Sequence, residues 1–273
     1  MSGADDLLTF IDLGLTDAAA LARRGGNRRD STVKPGDRNQ VVTATDLAIG
    51  RMVVERIRKT YPADSVIDEE SGVWTGSSGR VWVVDPIDGT SNYAAGSPLY
   101  GCMMALLTGD GVQACGVTLP AFGTSYLAAL GGGVRCNGVP LEAATPRPMA
   151  EHLVAYGLDL GGPAEMAPDW ALLQHLAPRI RGLRMSNSVF DAVQVVTGVY
   201  GAYLHRRMQV WDIAPLHLLV TESGGACTDL DGQALRYAVR RPADLATQTY
   251  AVCLTAPGVE AEVRRELRPA AAG

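Results

Sequence analysis

Residues 81–93 read VWVVDPIDGTSNY, and no other stretch narrows the possible folds as much. Four apolar residues in a row fit a strand buried on both faces, which needs a sheet covered by further layers. The run ends in Asp85, the expected end of the strand. Pro86 has a fixed φ and no N–H to donate, so it suits a turn. A second acid, Asp88, follows and precedes Gly89-Thr90. Two carboxylates at the mouth of a buried strand repel each other and are costly to desolvate, so something has to compensate them. A hard cation would: Mg²⁺ is commonly held by a few carboxylates plus waters and substrate oxygens. Gly89-Thr90 can open a helix or turn whose free amides suit an anion. Taken alone, D-x-x-D-G-T serves equally well as a strand-to-turn connection with a helix cap.

Two further segments shift the balance. VIDEESG, residues 66–72, ends a short strand in Asp68, Glu69 and Glu70. By itself it reads as a solvated acidic loop. VWDIAPLHLLVTESGG, residues 210–225, sets Asp212 at the start of an apolar helix that closes at Gly224-Gly225. By itself that aspartate reads as an N-cap.

Around these segments the pattern is mixed. Apolar positions at helical spacing over residues 4–23, and again from Thr43 or Thr45 to Lys59, predict two helices. From Val66 to Leu130 the pattern is of strands, with Asp110-Gly111 and Asn137-Gly138 as hairpin turns. The polar, proline-containing EAATPRPMAEH divides the chain near residue 145, giving lobes 1–145 and 146–273. In the second lobe, strands alternate with helices expected near 169–177, 188–198, 213–223 and 258–267. The class is α/β (α+β), with helices layered on largely antiparallel sheets.

Of the 273 residues 47% are hydrophobic, enough for one large domain or two lobes, and the net charge of −5 argues against a general polyanion binder. No nucleic-acid partner is expected. Cys102, Cys115, Cys136, Cys227 and Cys253 form no CxxC pair and read as reduced core residues. The acidic start MSGADDLLTF is unlike a signal peptide, and no apolar run approaches the ~20 residues that span a bilayer. A cytoplasmic protein without a membrane partner is expected.

DEES, WVVDPIDGTSNY and WDIAPLHLLVTESGG, in this order and spacing, resemble the three signature blocks of the inositol monophosphatase family. VVTATD (41–46) and GGGVRCNGVPL (131–141) fit as supporting blocks. The resemblance runs from the first helix to about residue 260. It implies the layered αβαβα sandwich of the sugar-phosphatase type, with the site between two lobes. It also implies Mg²⁺-dependent hydrolysis of a small-molecule phosphate monoester, with lithium sensitivity and a homodimer as family expectations. Carried over by position, Glu69, Asp85 and the Ile87 carbonyl hold one Mg²⁺, and Asp85, Asp88 and Asp212 a second. Glu69 reaches a third, weaker ion. Two ions ~3.5–4 Å apart would clamp the attacking and leaving oxygens of an in-line displacement. The resemblance sets the attacking water near Glu69 and Thr90, with Asp46 orienting Thr90. The Gly89 and Thr90 amides steady the phosphoryl oxygens, Lys34 sits above the site, and a water near Asp212 protonates the leaving group.

The chain also departs from the pattern. Asp68 stands where the family usually has glycine, and solvent is its expected direction. Seven residues before Asp212, where many inositol phosphatases carry a substrate-binding glutamate, stands His205, followed by Arg206 and Arg207. Histidine and arginines in place of an acceptor-only carboxylate suggest a substrate with a second anion or an amino group. The alternative is that both arginines are solvated charges. Asn187-Ser188 and Phe190 replace a small-residue run, so Phe190 and Asp191 either reshape the pocket or, for Phe190, join the core. His217 reads as a satisfied buried group, His152 and His175 as surface residues, and Trp82 and Trp211 as packing. A phosphatase-like regulatory protein binding a protein or RNA partner is the competing reading.

Overall fold

The computed structural model describes residues 3–25, 31–33 and 41–267. The first half contains α1 (Gly3–Gly25), β1 (Ser31–Val33), β2 (Val41–Thr43), α2 (Ala44–Thr60), β3 (Ser65–Asp68), β4 (Gly72–Trp74), β5 (Val81–Asp88) and α3 (Thr90–Ala95). It continues with β6 (Gly101–Thr108), β7 (Gly111–Leu119), β8 (Thr124–Ala129), β9 (Val134–Cys136) and β10 (Val139–Pro140). β3 to β10 form one sheet in the order β10-β9-β8-β7-β6-β5-β3-β4, antiparallel except for the β3–β5 pair. Asn137 and Gly138 both take positive φ and join β9 to β10 in the expected two-residue hairpin.

The second half contains β11 (Leu153–Gly157), α4 (Pro163–Leu176), β12 (Gly182–Arg184), α5 (Val189–Val196), β13 (Tyr200–Met208) and α6 (Val210–Glu222). β14 (Ala226–Thr228), α7 (Pro242–Leu245), β15 (Tyr250–Thr255) and α8 (Glu260–Leu267) follow. Its five-stranded sheet has the order β12-β11-β13-β15-β14. α4 begins six residues before the expected 169. Pro163 at its first turn and Glu165 accepting from the Gly162 amide (2.9 Å) start it there, so Pro168 falls near its N-terminal end.

The apolar run of β5 divides between two cores. Trp82 and Val84 pack with Ile11 and Leu15 of α1 and with Ile49 and Val53 of α2. Val81 and Val83 face the other way, into the core built with α5, α6 and the second sheet. α6 is apolar nearly all round because it is packed between two sheets: Ile213, Leu216 and Leu219 are fully buried. The layers are therefore α1/α2, first sheet, α5/α6, second sheet, α4/α8. No helix among the described residues is long and apolar enough to cross a membrane.

Candidate active site

β5 does not end at Asp85. It continues through Pro86 and Ile87 to Asp88, with an irregular register against β6: Asp85 faces Met103, but Asp88 faces Gly101. The extra residue is located where proline has no N–H for the ladder. This bulge matters for the site. Residues three apart in a regular strand point to opposite faces, whereas here both carboxylates reach the same rim.

α6 delivers the third acid. Asp212 is not the N-cap but stands three residues after Gln209, whose amide donates to its Oδ2 (2.9 Å). Asp85, Asp88 and Asp212 each place a carboxylate oxygen within 4.8 Å of the others. Glu69 follows β3, and its amide donates to the Val84 carbonyl (3.2 Å), which ties its turn to β5. Its charge acts on both Asp85 and Asp88.

The carboxyls respond as crowded acids should. Burial, then the charges of Glu69, Asp88 and Asp212, pushes Asp85 well above the usual carboxylate range. Burial pushes Asp88 up to about 7, even though the Val189 amide at the start of α5 donates to its Oδ2. Asp212 rises to about 7 through burial and the charge of Asp88.

Asp46 sits one layer behind. Its Oδ2 accepts from the Thr43 amide (2.9 Å) in a capping box that starts α2, and the Thr90 hydroxyl lies 3.2 Å from its Oδ1. That hydroxyl also lies 2.8 Å from the Ile87 carbonyl. Burial raises Asp46 to about 6. Gly89, with φ of 80°, turns β5 into α3, and a Cβ there would lie 2.7 Å from Ser188 Cβ. Only glycine makes this turn without strain.

A profile of the inositol monophosphatase family matches residues 5–268. The chain belongs to the inositol monophosphatase family. It is 38% identical over 224 residues to the probable inositol 1-monophosphatase ImpA of Mycobacterium tuberculosis, covering 80% of this chain and 82% of the relative. It is 30% identical over 230 residues to the Nus factor SuhB of Pasteurella multocida, covering 80% and 85%. Among solved structures, an IMPase of Thermotoga maritima superposes with a TM-score of 0.82 at 25% identity, covering 96% of each chain. Members of the inositol monophosphatase family are metal-dependent phosphoric monoester hydrolases, and this chain is one.

The acids of this family member fit the cations that such chemistry needs. Asp85 Oδ1 is buried with no hydrogen-bond partner among the described residues, and the converging donors are hard oxygens.

The other expected positions divide. Lys34 lies outside the described residues. His205 is 12% exposed, with Nε2 3.8 Å from Asp159. Arg206 lies on the other face of β13, with its Nε 3.5 Å from Asp169 of α4. Arg207 pairs with Asp159 at 3.3 Å.

Two expectations are corrected. Asp68 does not face solvent: it is buried, accepts from the Ser71 amide (2.9 Å) and packs on Gly50 of α2. His152 is buried against Gly201, not on the surface. Asp191 is buried as well, accepting from the Ser186 amide (2.8 Å) and shaping the loop before α5. Phe190 is half-buried and stacks on Phe122 at 5.2 Å. His217 is satisfied as expected, with Nδ1 2.8 Å from the Tyr237 hydroxyl. Sequence reasoning missed the Val189 amide, Asp159 and Asp169. None carries a local signal, since each meets its partner far along the chain.

Proposed function

We propose that this chain hydrolyses a small-molecule phosphate monoester with Mg²⁺ held by Glu69, Asp85, the Ile87 carbonyl, Asp88 and Asp212. The observation that carries the reading is the convergence of the Asp85, Asp88 and Asp212 carboxylates, with one buried Asp85 oxygen that has no hydrogen-bond partner among the described residues. When bound, two or three such ions neutralise the phosphoryl oxygens, polarise the phosphorus and offset the repulsion among the acids.

The chain's own groups do the rest. Asp46 and the Ile87 carbonyl compete for the single proton of Thr90, so the lone pairs of that hydroxyl are left for a water. Glu69 accepts a proton from that water as it attacks in line. The amides of Gly89 and Thr90, at the head of α3, donate to the phosphoryl oxygens. Asp212 orients the proton donor to the departing alkoxide.

A substrate with one phosphate fits better than one with a second anion. Asp169 engages Arg206 and Asp159 engages Arg207, so these carboxylates offset the positive charge that would draw a second phosphate. The test is phosphate release by purified protein in Mg²⁺, with Asp88→Asn as the blank. Inositol 1-phosphate, histidinol phosphate, fructose 1,6-bisphosphate, adenosine 3′,5′-bisphosphate and NADP⁺ form the panel. Silence on every ester, with Mg²⁺ demonstrably bound, removes the catalytic reading.

The Nus factor SuhB relative favours a second reading, a regulatory role through a protein or RNA partner. Asp88→Asn separates the two. A regulatory effect that survives loss of hydrolysis belongs to binding, and one lost with it belongs to catalysis.

A further inference from the structure

The face of the first sheet that turns away from the catalytic acids carries a cavity of its own. Asp68 pairs with Val84 in the parallel β3–β5 register, and Val84 packs with α1 and α2. Paired residues share a face, so Asp68 points toward α2. Asp85, one residue after Val84, points the other way, to Asp212. Between α2 and the β3–β4 turn lies a cavity of about 250 Å³. Pockets for drug-sized ligands measure ~300–1,000 Å³, so the occupant of this one is small.

The two sides of the cavity carry opposite charge. Asp68 and Glu70 line it from the strand side. Arg51 and Arg58 line it from α2, both exposed and seven residues apart on one helix face. Glu55 offsets one of these arginines and leaves the helix side positive. Val54, buried, and Trp74, half-buried, supply apolar surface. Asp68 is only 1% exposed, and its Oδ2 accepts from the amide and hydroxyl of Ser71. Its Oδ1 is buried with no hydrogen-bond partner among the described residues. A buried carboxylate oxygen is costly to leave unsatisfied, so a donor is wanted there. Gly50 makes the room, since a Cβ on it would stand 2.9 Å from both Asp68 oxygens. A plain cation would meet the arginines, and a plain anion would meet the acids.

We propose that this cavity binds a small amino acid as its zwitterion, with the ammonium on Asp68, the apolar side chain against Val54 and Trp74, and the carboxylate toward Arg51 and Arg58. An ammonium has three donors and no acceptor, which suits the open Oδ1 with a second carboxylate beside it. The site lies outside the phosphate-ester cleft and does not depend on the phosphatase reading. Glu69, between Asp68 and Glu70 in the chain, brings it within one residue of the metal-binding set.

The experiment is calorimetric titration of the full-length protein, in Mg²⁺, with valine, leucine and methionine. At least one should bind with a Kd of about 1 mM or tighter. Asp68→Asn keeps an oxygen for Ser71 and should weaken that binding at least about tenfold. Arg51→Ala combined with Arg58→Ala, both on the exposed face of α2, should do the same, and thermal melting shows that each variant is folded. If Asp68→Asn does not fold, the arginine pair decides. The amine and the acid that correspond to the tightest binder, 3-methylbutylamine and 4-methylpentanoate in the case of leucine, should each bind about tenfold more weakly. Saturating inorganic phosphate, which belongs in the catalytic cleft, should leave the affinity unchanged. No heat from any of the three amino acids at ~10 mM means that the cavity holds only water, and overturns the inference. So does binding that phosphate displaces, binding indifferent to Asp68→Asn or to loss of the arginines, or an amine or acid that binds as well as the amino acid.

Discussion

Replacing Asp88 by asparagine should stabilise the metal-free protein while abolishing its response to Mg²⁺. A carboxyl whose titration moves from 3.8 to about 7 on folding costs ~4 kcal/mol when it is held ionised. Water in the open cleft screens part of that, so about 2 kcal/mol is the expected gain at pH 8. For a protein of this size that corresponds to about 5 °C in Tm. Asparagine keeps an oxygen for the Val189 amide, so that contact survives the change.

The pH dependence fixes the cause. Because the folded value is raised, the native state binds the proton more tightly than the unfolded chain. The penalty is absent below about pH 3.8, grows as pH rises, and is complete above about pH 7. At pH 4.5 the advantage of the variant should shrink to about a quarter. Thermal unfolding in EDTA at both pH values measures this. In Mg²⁺ at a hundred times its dissociation constant, the wild type should gain ~2.7 kcal/mol and overtake the variant. If Asp88→Asn unfolds below the wild type in EDTA at pH 8, or if the difference does not vary with pH, charge crowding is not what the cations relieve.

Three other changes probe the surroundings. Asp46→Asn should lower kcat roughly 100-fold with little change in KM, because the single amide oxygen stays with the Thr43 N–H and turns the NH2 group toward Thr90, which loses its acceptor; steady-state kinetics separates the two. Glu222→Ala should cost about 1–3 kcal/mol in urea unfolding, since its carboxylate accepts from the amides of Gly131 (2.7 Å) and Gly133 (2.8 Å) and anchors the end of α6. Gly157→Ala should cost ~1–3 kcal/mol and shift the His205 ring resonances, because the new methyl meets the imidazole; unshifted spectra would mean that the ring is not held over β11.

What the sequence displayed and what it hid follow from distance along the chain. Asp85 and Asp88 were legible because an apolar run, a proline and a Gly-Thr pair punctuate one short stretch. The bulge between them was not, since register depends on β6, which is paired only in three dimensions. Asp68 looked like a solvated acid because the glycine that admits its side chain is Gly50, on another helix. His152 was misplaced for the same reason, its cavity being opened by Gly201. The start of α4 was hidden by Pro168, which reads as a stop but lies inside the helix, whose start is set upstream by Pro163 and the Glu165–Gly162 contact. The Val189 amide has no side-chain signal at all. Its donation to Asp88 spans 101 positions of sequence.

The site's position then has a physical reason that no single segment carries. α5 and α6 lie between the sheets, and each points its N-terminus at the acids: α5 through the Val189 amide on Asp88, α6 through Asp212 in its first turn. The positive end of a helix dipole favours a carboxylate there, so the middle layer supplies part of the compensation before any cation arrives. It does not supply enough, since Asp88 and Asp212 both remain near 7. Asp85, projecting from the sheet with a buried oxygen that no amide among the described residues reaches, marks where compensation is missing. Two helix ends hold the outer acids and leave the central one to be compensated, so the same packing that makes α6 apolar on nearly all sides also aims Asp212 at the cleft.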